Sequence, residues 1–328
     1  MKDTDYRIAQ SETEWIRYGY EHMGVRKSAK KLCAALNKSI RKKAKRAVRN
    51  VSGIVRKVMF TPSYDEKKKN IVVCLTTTPG RIRHIFPTIA SLARQTMRPD
   101  LIVLWLGERE GYPPGILSRI EKRGLCIRYV KDLGPNTKYH YAFETYQNDL
   151  VITVDDDMIY DENMIGELKK AHLNHPDLVV ARRVHKIRFE HDRKPSKYHD
   201  WIWEYRDADK PSHDLFATGV GGVLYPPQVM ALDCWKNTDF LKVAPGGDDL
   251  WLKFCELSCN VKVCAVIGSG YLNDVEIYGS KKDSLSSENI GKNRNDEYIR
   301  SCMEYFGMMD DLCERMLAEE PNMDSGTI

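Results

Sequence analysis

From residue 70 onward, short continuous apolar runs alternate with segments whose apolar residues recur every three or four positions. Residues 71–75 (Ile-Val-Val-Cys-Leu) are unbroken and β-branched, the pattern of a strand buried on both faces. The turn-rich Thr76-Thr77-Thr78-Pro79-Gly80-Arg81 ends that run, and Ile85, Ile89, Leu92 and Ala93 then mark a helical stripe. Residues 101–106 predict a second strand, 115–123 a helix opened by Pro113-Pro114, and 127–130 a third strand. Residues 138–146 read as a helix, 150–154 as a fourth strand, 163–172 as a helix and 178–181 as a fifth strand. Strands alternating with helices predict an α/β fold, a mostly parallel sheet flanked by helices on both faces. Ligands of such sheets bind beyond the carboxyl ends of the strands. The turns at 76–81 and 133–138, and the residues just beyond 154, are therefore expected to converge.

The fourth strand runs directly into Asp155-Asp156-Asp157. Carboxylates this close repel one another, and burial adds to the cost unless a cation neutralises them. A hard divalent ion, Mn²⁺ or Mg²⁺, takes oxygen ligands and commonly bridges protein carboxylates to phosphates. The plainer alternative is a solvated acidic turn. A second acidic pair, Asp248-Asp249, comes after Pro245-Gly246-Gly247 and precedes Leu250, Trp251, Leu252 and Phe254, a placement that also suits capping of a helix.

Charge changes the picture at the N-terminal end. The chain of 328 residues carries a formal net charge of +5, yet thirteen Lys/Arg and no Asp/Glu lie between Arg26 and Lys57. The remainder, with 38 basic and 46 acidic side chains, is net negative. Apolar residues at Leu32, Leu36, Ile40, Ala44, Ala47, Val51, Ile54 or Val55, and Val58 form one stripe through the basic stretch. A basic amphipathic helix over residues 26–58 suits an anionic membrane surface, with packing against the rest of the chain as the alternative. Nucleic acid is not expected as a partner, because no aromatic residues interleave to stack bases. The first residues are acidic and polar, with no secretory pattern, and no run reaches membrane-spanning length. Nine scattered cysteines, without a Cys-x-x-Cys pair, read as reduced core residues of a cytoplasmic protein. Cys255, Cys259 and Cys264 cluster in sequence, but no nearby histidine completes a zinc set.

Taken in order, the motifs resemble a known family. Thr76-Thr77-Thr78-Pro79-Gly80-Arg81, Ser91-Leu92-Ala93-Arg94-Gln95-Thr96, Leu133-Gly134-Pro135-Asn136-Thr137-Lys138-Tyr139 and the aspartate triplet come first. Gly219-Val220-Gly221-Gly222-Val223-Leu224-Tyr225-Pro226-Pro227 and Gly246-Gly247-Asp248-Asp249-Leu250-Trp251-Leu252 come after them. The set, spanning residues 70–268, resembles GT-A nucleotide-sugar glycosyltransferases of the type that builds bacterial surface polysaccharides. The resemblance implies a Rossmann-like catalytic domain at 66–268, a basic helical extension at 1–65, and a loop with C-terminal helices at 269–328.

By the same resemblance, Asp157 binds the metal directly, and Asp155 meets it through water or contacts the donor ribose. Arg81 and Lys138 add positive charge for the donor phosphates, a surface salt bridge being the alternative for each. Thr76 and Thr77 lie where base and ribose rest, with Asp156 part of the same donor group. Gly221 and Gly222 let the backbone approach the donor sugar, a tight bend being their structural alternative. Asp249 is implied as the base of an inverting reaction and Asp248 as its acceptor-binding neighbour. The implied partners are a nucleotide-sugar donor and a glycan or lipid-linked acceptor, met at the inner face of the plasma membrane.

One departure stands out. Relatives often end the second strand with an acidic cluster that helps hold the nucleotide, whereas here residues 101–107 carry none and Glu108 comes late. Arg182, Arg183, His185, Trp201 and Trp203 form a region suited to an acceptor wall, or to a plain surface insertion. Residues 269–294 read as a polar mobile loop and 300–317 as a terminal helix. Three other classes are weighed on sequence alone: a magnesium phosphohydrolase of haloacid-dehalogenase type, a nucleotidyltransferase, disfavoured because the first turn lacks a glycine-rich, Lys/Arg-bearing signature, and a non-catalytic membrane-tethered scaffold. The phosphohydrolase expects Thr or Val where Ile159 stands, and its domain would start at the fourth strand.

Overall fold

The computed structural model describes residues 59–190, 194–208, 210–277, 293–308 and 316. The basic stretch at 26–58 lies outside the described residues, as does 278–292 of the expected loop. The elements that build the domain are β1 (Ile71–Thr76), α1 (Phe86–Ala93), β2 (Leu101–Leu106), α2 (Pro114–Glu121), β3 (Cys126–Tyr129) and α3 (Thr137–Thr145). After them come β4 (Leu150–Thr153), β5 (Met158–Ile159), α4 (Met164–Asn174), β6 (Val179–Ala181), β7 (Val184–Lys186), β8 (Leu215–Ala217) and β9 (Val223–Tyr225). The chain continues through α5 (Pro227–Met230), α6 (Phe240–Val243), α7 (Asp248–Ser258), β10 (Val263–Ala265), β11 (Val275–Glu276) and α8 (Arg294–Tyr305).

Seven strands form the central sheet in the order β10-β6-β9-β4-β1-β2-β3. The pairs β1/β2, β1/β4, β2/β3 and β6/β10 are parallel, as the alternation of elements predicts. β9 is the exception and runs antiparallel to both β4 and β6. Its three residues come after a glycine-rich turn that no 3.6- or 2-residue periodicity announces.

Burial explains the unbroken apolar runs. Val72, Cys74, Val103, Trp105 and Val151 share one core cluster with Tyr139, Ala142 and Phe143 of α3. The alternate residues Val73, Leu75, Ile102, Leu104 and Ile152 point to the other face and are just as buried. α3 packs on β1, β2 and β4, α4 packs on β6 and β9, and α7 packs on β8 and α8. The sheet is therefore covered on both faces, and four parallel strands aim their carboxyl ends at one edge.

Two segments outside the expected 66–268 span are tied into this unit. Phe60 N–H donates to the Arg123 carbonyl (2.9 Å), and the Tyr64 hydroxyl donates to Asp149 (2.9 Å). Gly124, beside that first bond, has φ +90°, and a Cβ there would fall 1.9 Å from the Phe60 carbonyl oxygen. Gly124→Ala therefore combines a left-handed backbone with a backbone clash, and should lower stability by roughly 2–4 kcal/mol in urea unfolding. At the other end, the terminal helix begins at Arg294, ahead of the expected residue 300. Part of the expected loop is built as well: β11 pairs antiparallel with β5, and Ile277 N–H donates to the Asp157 carbonyl (2.7 Å).

Candidate active site at the carboxyl edge of the sheet

The three aspartates leave β4 in three different environments. Asp156 is buried and held by Arg81 and by the Thr77 hydroxyl, with Arg81 Nε at 3.2 Å from Oδ2. Thr88 on α1 fixes the strand exit by donating to the Asp156 carbonyl (2.8 Å). Burial raises the Asp156 pKa, against the pull of Arg81 and Thr77. Arg81 also reaches Asp157, Nη2 lying 2.9 Å from Oδ2. Burial opposes the Arg81 charge, but Asp156, Asp157 and Asp155 outweigh it and leave its pKa raised.

Asp156 thus anchors the turn from β1 to the turn from β4. Asp156→Asn keeps the shape but weakens a charge-assisted pair, and is expected to cost about 1.5–3 kcal/mol by denaturant titration.

Lys138, at the start of α3, is the hub of the second half. It is buried, with Nζ 2.6 Å from Asp155 Oδ1 and 3.0 Å from Asp248 Oδ2. The contact to Asp248 is an ion pair without hydrogen-bond alignment, since that oxygen lacks a hydrogen-bond partner among the described residues. Burial alone would lower the Lys138 pKa, but Asp155, Asp248 and Asp249 together push it well above the usual lysine value. The surface salt bridge that sequence allows for Arg81 and Lys138 is therefore not what forms. Both are ion-paired inside the site, and a fully charged lysine joins the β4 aspartates to the α7 pair.

Asp248 and Asp249 occupy the first two positions of α7. The N-cap is Gly247 and makes no side-chain cap bond, so capping by Asp248 does not occur. Both carboxylates still profit from the positive end of the helix. Asp249 accepts the Gly219 N–H with both oxygens (3.1 and 3.0 Å). Burial first, then Asp248, pushes its pKa up to about 8, while Lys138 works in the opposite direction.

The glycine turn between β8 and β9 divides into two roles. A Cβ on Gly219 would meet Asp249 Oδ1 and Lys138 Nζ, each at 3.1 Å. On Gly221 it would meet the Arg183 Cβ at 2.7 Å, and on Gly222, where φ is +86°, the Met164 Sδ at 3.3 Å. Gly219 is thus the position open to the carboxylate cluster, while Gly221 and Gly222 are small because protein packs against them.

Thr76 and Thr77 also differ from each other. The Thr76 hydroxyl donates to the Trp105 carbonyl (2.9 Å), tying β1 to β2, whereas the Thr77 hydroxyl donates to Asp156.

Several contributors carry no sequence signal. Tyr160 accepts the Asp155 N–H at its hydroxyl (2.8 Å) and so fixes the first aspartate from below. Tyr112 donates to the Thr77 carbonyl (2.9 Å), and burial pushes its hydroxyl up to about 12. Glu108, the late acid after β2, is exposed. Beside it, Asp132 from beyond β3 stands where a side chain on Gly107 would project, its Cβ 3.1 Å from that position. These partners come from separate elements, and only the folded sheet edge brings them together.

The donor set suits a divalent cation. Asp155, Asp156, Asp157, Asp248 and Asp249 face two cations, Arg81 and Lys138, which leaves an excess of negative charge. Burial, then Asp155, pushes Asp157 up to about 6 despite Arg81, as expected for a carboxylate short of positive charge. No cluster of three or more His, Cys, Asp or Glu is already arranged as a metal cage among the described residues.

Residues 82–224 match the family described as "Glycosyl transferase family 2". The match covers less than half of the chain; together with the mostly parallel seven-stranded sheet it supports a GT-A fold and glycosyltransferase activity. The match favours sugar transfer over the phosphohydrolase and scaffold readings. Among solved structures, S. aureus TarS 1-349 in complex with UDP is similar at 15% identity and TM-score 0.41, over 60% of this chain and 58% of that one. The chain thus spans less than two thirds of the TarS fragment. A 4-diphosphocytidyl-2C-methyl-D-erythritol synthase is similar at 9% identity and TM-score 0.38, over 66% of this chain and 95% of that one. No curated protein matches.

Proposed function

We propose that the chain moves a sugar from a nucleoside-diphosphate donor to a glycan or lipid-linked acceptor in surface-polysaccharide synthesis, inverting the anomeric centre. The observation that carries this reading is the Lys138 bridge, which joins the donor-side Asp155 to the acid pair at the head of α7. A direct displacement needs a base on one side of the anomeric carbon and a neutralised diphosphate on the other. Asp249 is buried and held by one backbone N–H, so its carboxylate suits removal of the acceptor hydroxyl proton. Asp248, beside it, is placed to orient the acceptor. Arg81 and Lys138 carry the positive charge that would hold the donor phosphates. Asp157 would hold a Mn²⁺ or Mg²⁺ ion directly and Asp155 through water or the donor ribose. Bound there, the ion supplies Lewis-acid neutralisation of the departing diphosphate.

Aromatic side chains beside β7 and β8 support a sugar-containing acceptor. Trp203 stacks on the buried His185 (4.9 Å between centroids, 26° between planes) while remaining 38% exposed. Its neighbour Glu204 pairs with Arg183, and Arg183 donates to Thr218, the residue before Gly219. Trp203→Ala should raise the acceptor KM roughly 3–10-fold while leaving the donor KM unchanged, as loss of one stacking contact predicts. The basic stretch at 26–58 would bring the enzyme to an anionic membrane surface where a lipid-linked acceptor resides.

The deciding experiment is a screen of nucleotide sugars with Mn²⁺ or Mg²⁺ for protection against thermal unfolding, then proton NMR of the fresh product. A protecting donor and an inverted anomer support the reading. Retention of configuration removes Asp249 from the role of base, and protection by no nucleotide sugar rejects the donor class.

A further inference from the structure

The cysteines regroup in the fold. Cys264 does not join Cys255 and Cys259 as their spacing suggests. Instead Cys234, from the turn Asp233–Trp235, comes to Cys259, the C-cap of α7. The Cys259 and Cys234 sulfurs lie 3.0 Å apart, although the residues are 25 positions apart in sequence. That is inside van der Waals contact of two sulfur atoms and about 1 Å beyond a covalent S–S bond. Both side chains are half-buried, so a small reagent can reach them. Cys255, one turn earlier on α7, is fully buried and donates to the Cys234 carbonyl (3.3 Å).

We propose that Cys234 and Cys259 form a reversible disulfide by exchange with a low-molecular-weight disulfide such as oxidised glutathione. One thiolate of the pair attacks a sulfur of the small disulfide and expels one glutathione thiolate. The second protein thiolate then attacks the Sγ of its neighbouring cysteine in that mixed disulfide and expels the other glutathione thiolate. The two protein thiols give up two protons and two electrons, and the small disulfide takes them up as two thiols. Contact with Cys255 at Cys234, and with Cys234 at Cys259, joins with burial to hold both pKa values above the ordinary cysteine value. Exchange therefore accelerates as pH rises. The bond would pin the far end of the helix that begins with Asp248 and Asp249. Its formation does not depend on the sugar-transfer reading.

The full chain, reduced and then exposed to oxidised glutathione in mildly alkaline buffer, can be alkylated, digested and analysed by mass spectrometry without reduction. The expected product is a peptide pair linked through Cys234 and Cys259, with two fewer titratable thiols and a melting midpoint several degrees higher, reversed by dithiothreitol. In Cys259→Ser the linked pair should vanish and Cys234 should retain a glutathione adduct. A Cys234–Cys255 link in the wild-type chain, glutathione adducts without any cross-link, or no loss of thiols at all would each overturn the assignment.

Discussion

Asp249→Asn should lower kcat by about 10²–10⁴-fold while leaving the donor KM within a factor of about two, because the lost proton acceptor acts in the transition state. The amide retains the bond from Gly219 N–H and the volume of the side chain, so the fold should survive. The pH profile gives an independent check. A base must be ionised to act, and burial together with Asp248 raises Asp249 to about 8. In the free enzyme kcat/KM should therefore rise about tenfold per pH unit below that value and level off above it. The residual activity of Asp249→Asn should lose that limb. A wild-type profile that is flat between about pH 6 and 9, the range around the raised pKa, would contradict the base assignment.

Asp157→Asn is expected to weaken metal-supported nucleotide binding and to lower kcat/KM by about 10²–10³-fold. A neutral amide is a poorer ligand for a hard cation, and the excess of carboxylate charge in the site falls by one. Arg81 keeps Asp156, so the turn after β1 stays in place. Calorimetry with UDP and with GDP, with and without Mn²⁺, separates binding from chemistry. In the wild type, chelation should weaken nucleotide binding strongly, whereas in Asp157→Asn it should make little difference. Equal metal dependence in the two proteins would exclude Asp157 as the direct ligand.

Much of this site can be read before folding because strand-terminal residues stay put. β1 and β2 fall within one residue of the predicted runs, since continuous β-branched segments closed by turn residues admit few other states. The aspartate triplet, Arg81 and Lys138 take their places directly from where those strands end. What sequence cannot supply is pairing. A lysine at position 138 is equally compatible with solvent, and only the position of α3 over β4 and α7 makes it the link between two acidic groups. β9 is illegible because three apolar residues after a glycine turn carry no direction, and its antiparallel course depends on its neighbours. Tyr160 and Asp132 look like ordinary residues until the turns around them close. Proximity in sequence groups Cys264 with Cys255, while the true neighbour, Cys234, lies across α7.

The antiparallel β9 has an engineering consequence. Ala181 at the end of β6 sits opposite Val223 at the start of β9, so the chain leaves the sheet and returns to it at adjacent points. The excursion between them carries β7, β8, Trp203 and the glycine turn, yet its two ends are only one strand spacing, about 4.8 Å, apart. A segment spliced in this way behaves like a cassette. Its length can change at an entropic cost that grows only with the logarithm of loop size, and no strand need shift register. Changes of length therefore belong in the Trp203 segment between β7 and β8, because Gly219 holds Asp249 and β8 packs on α7.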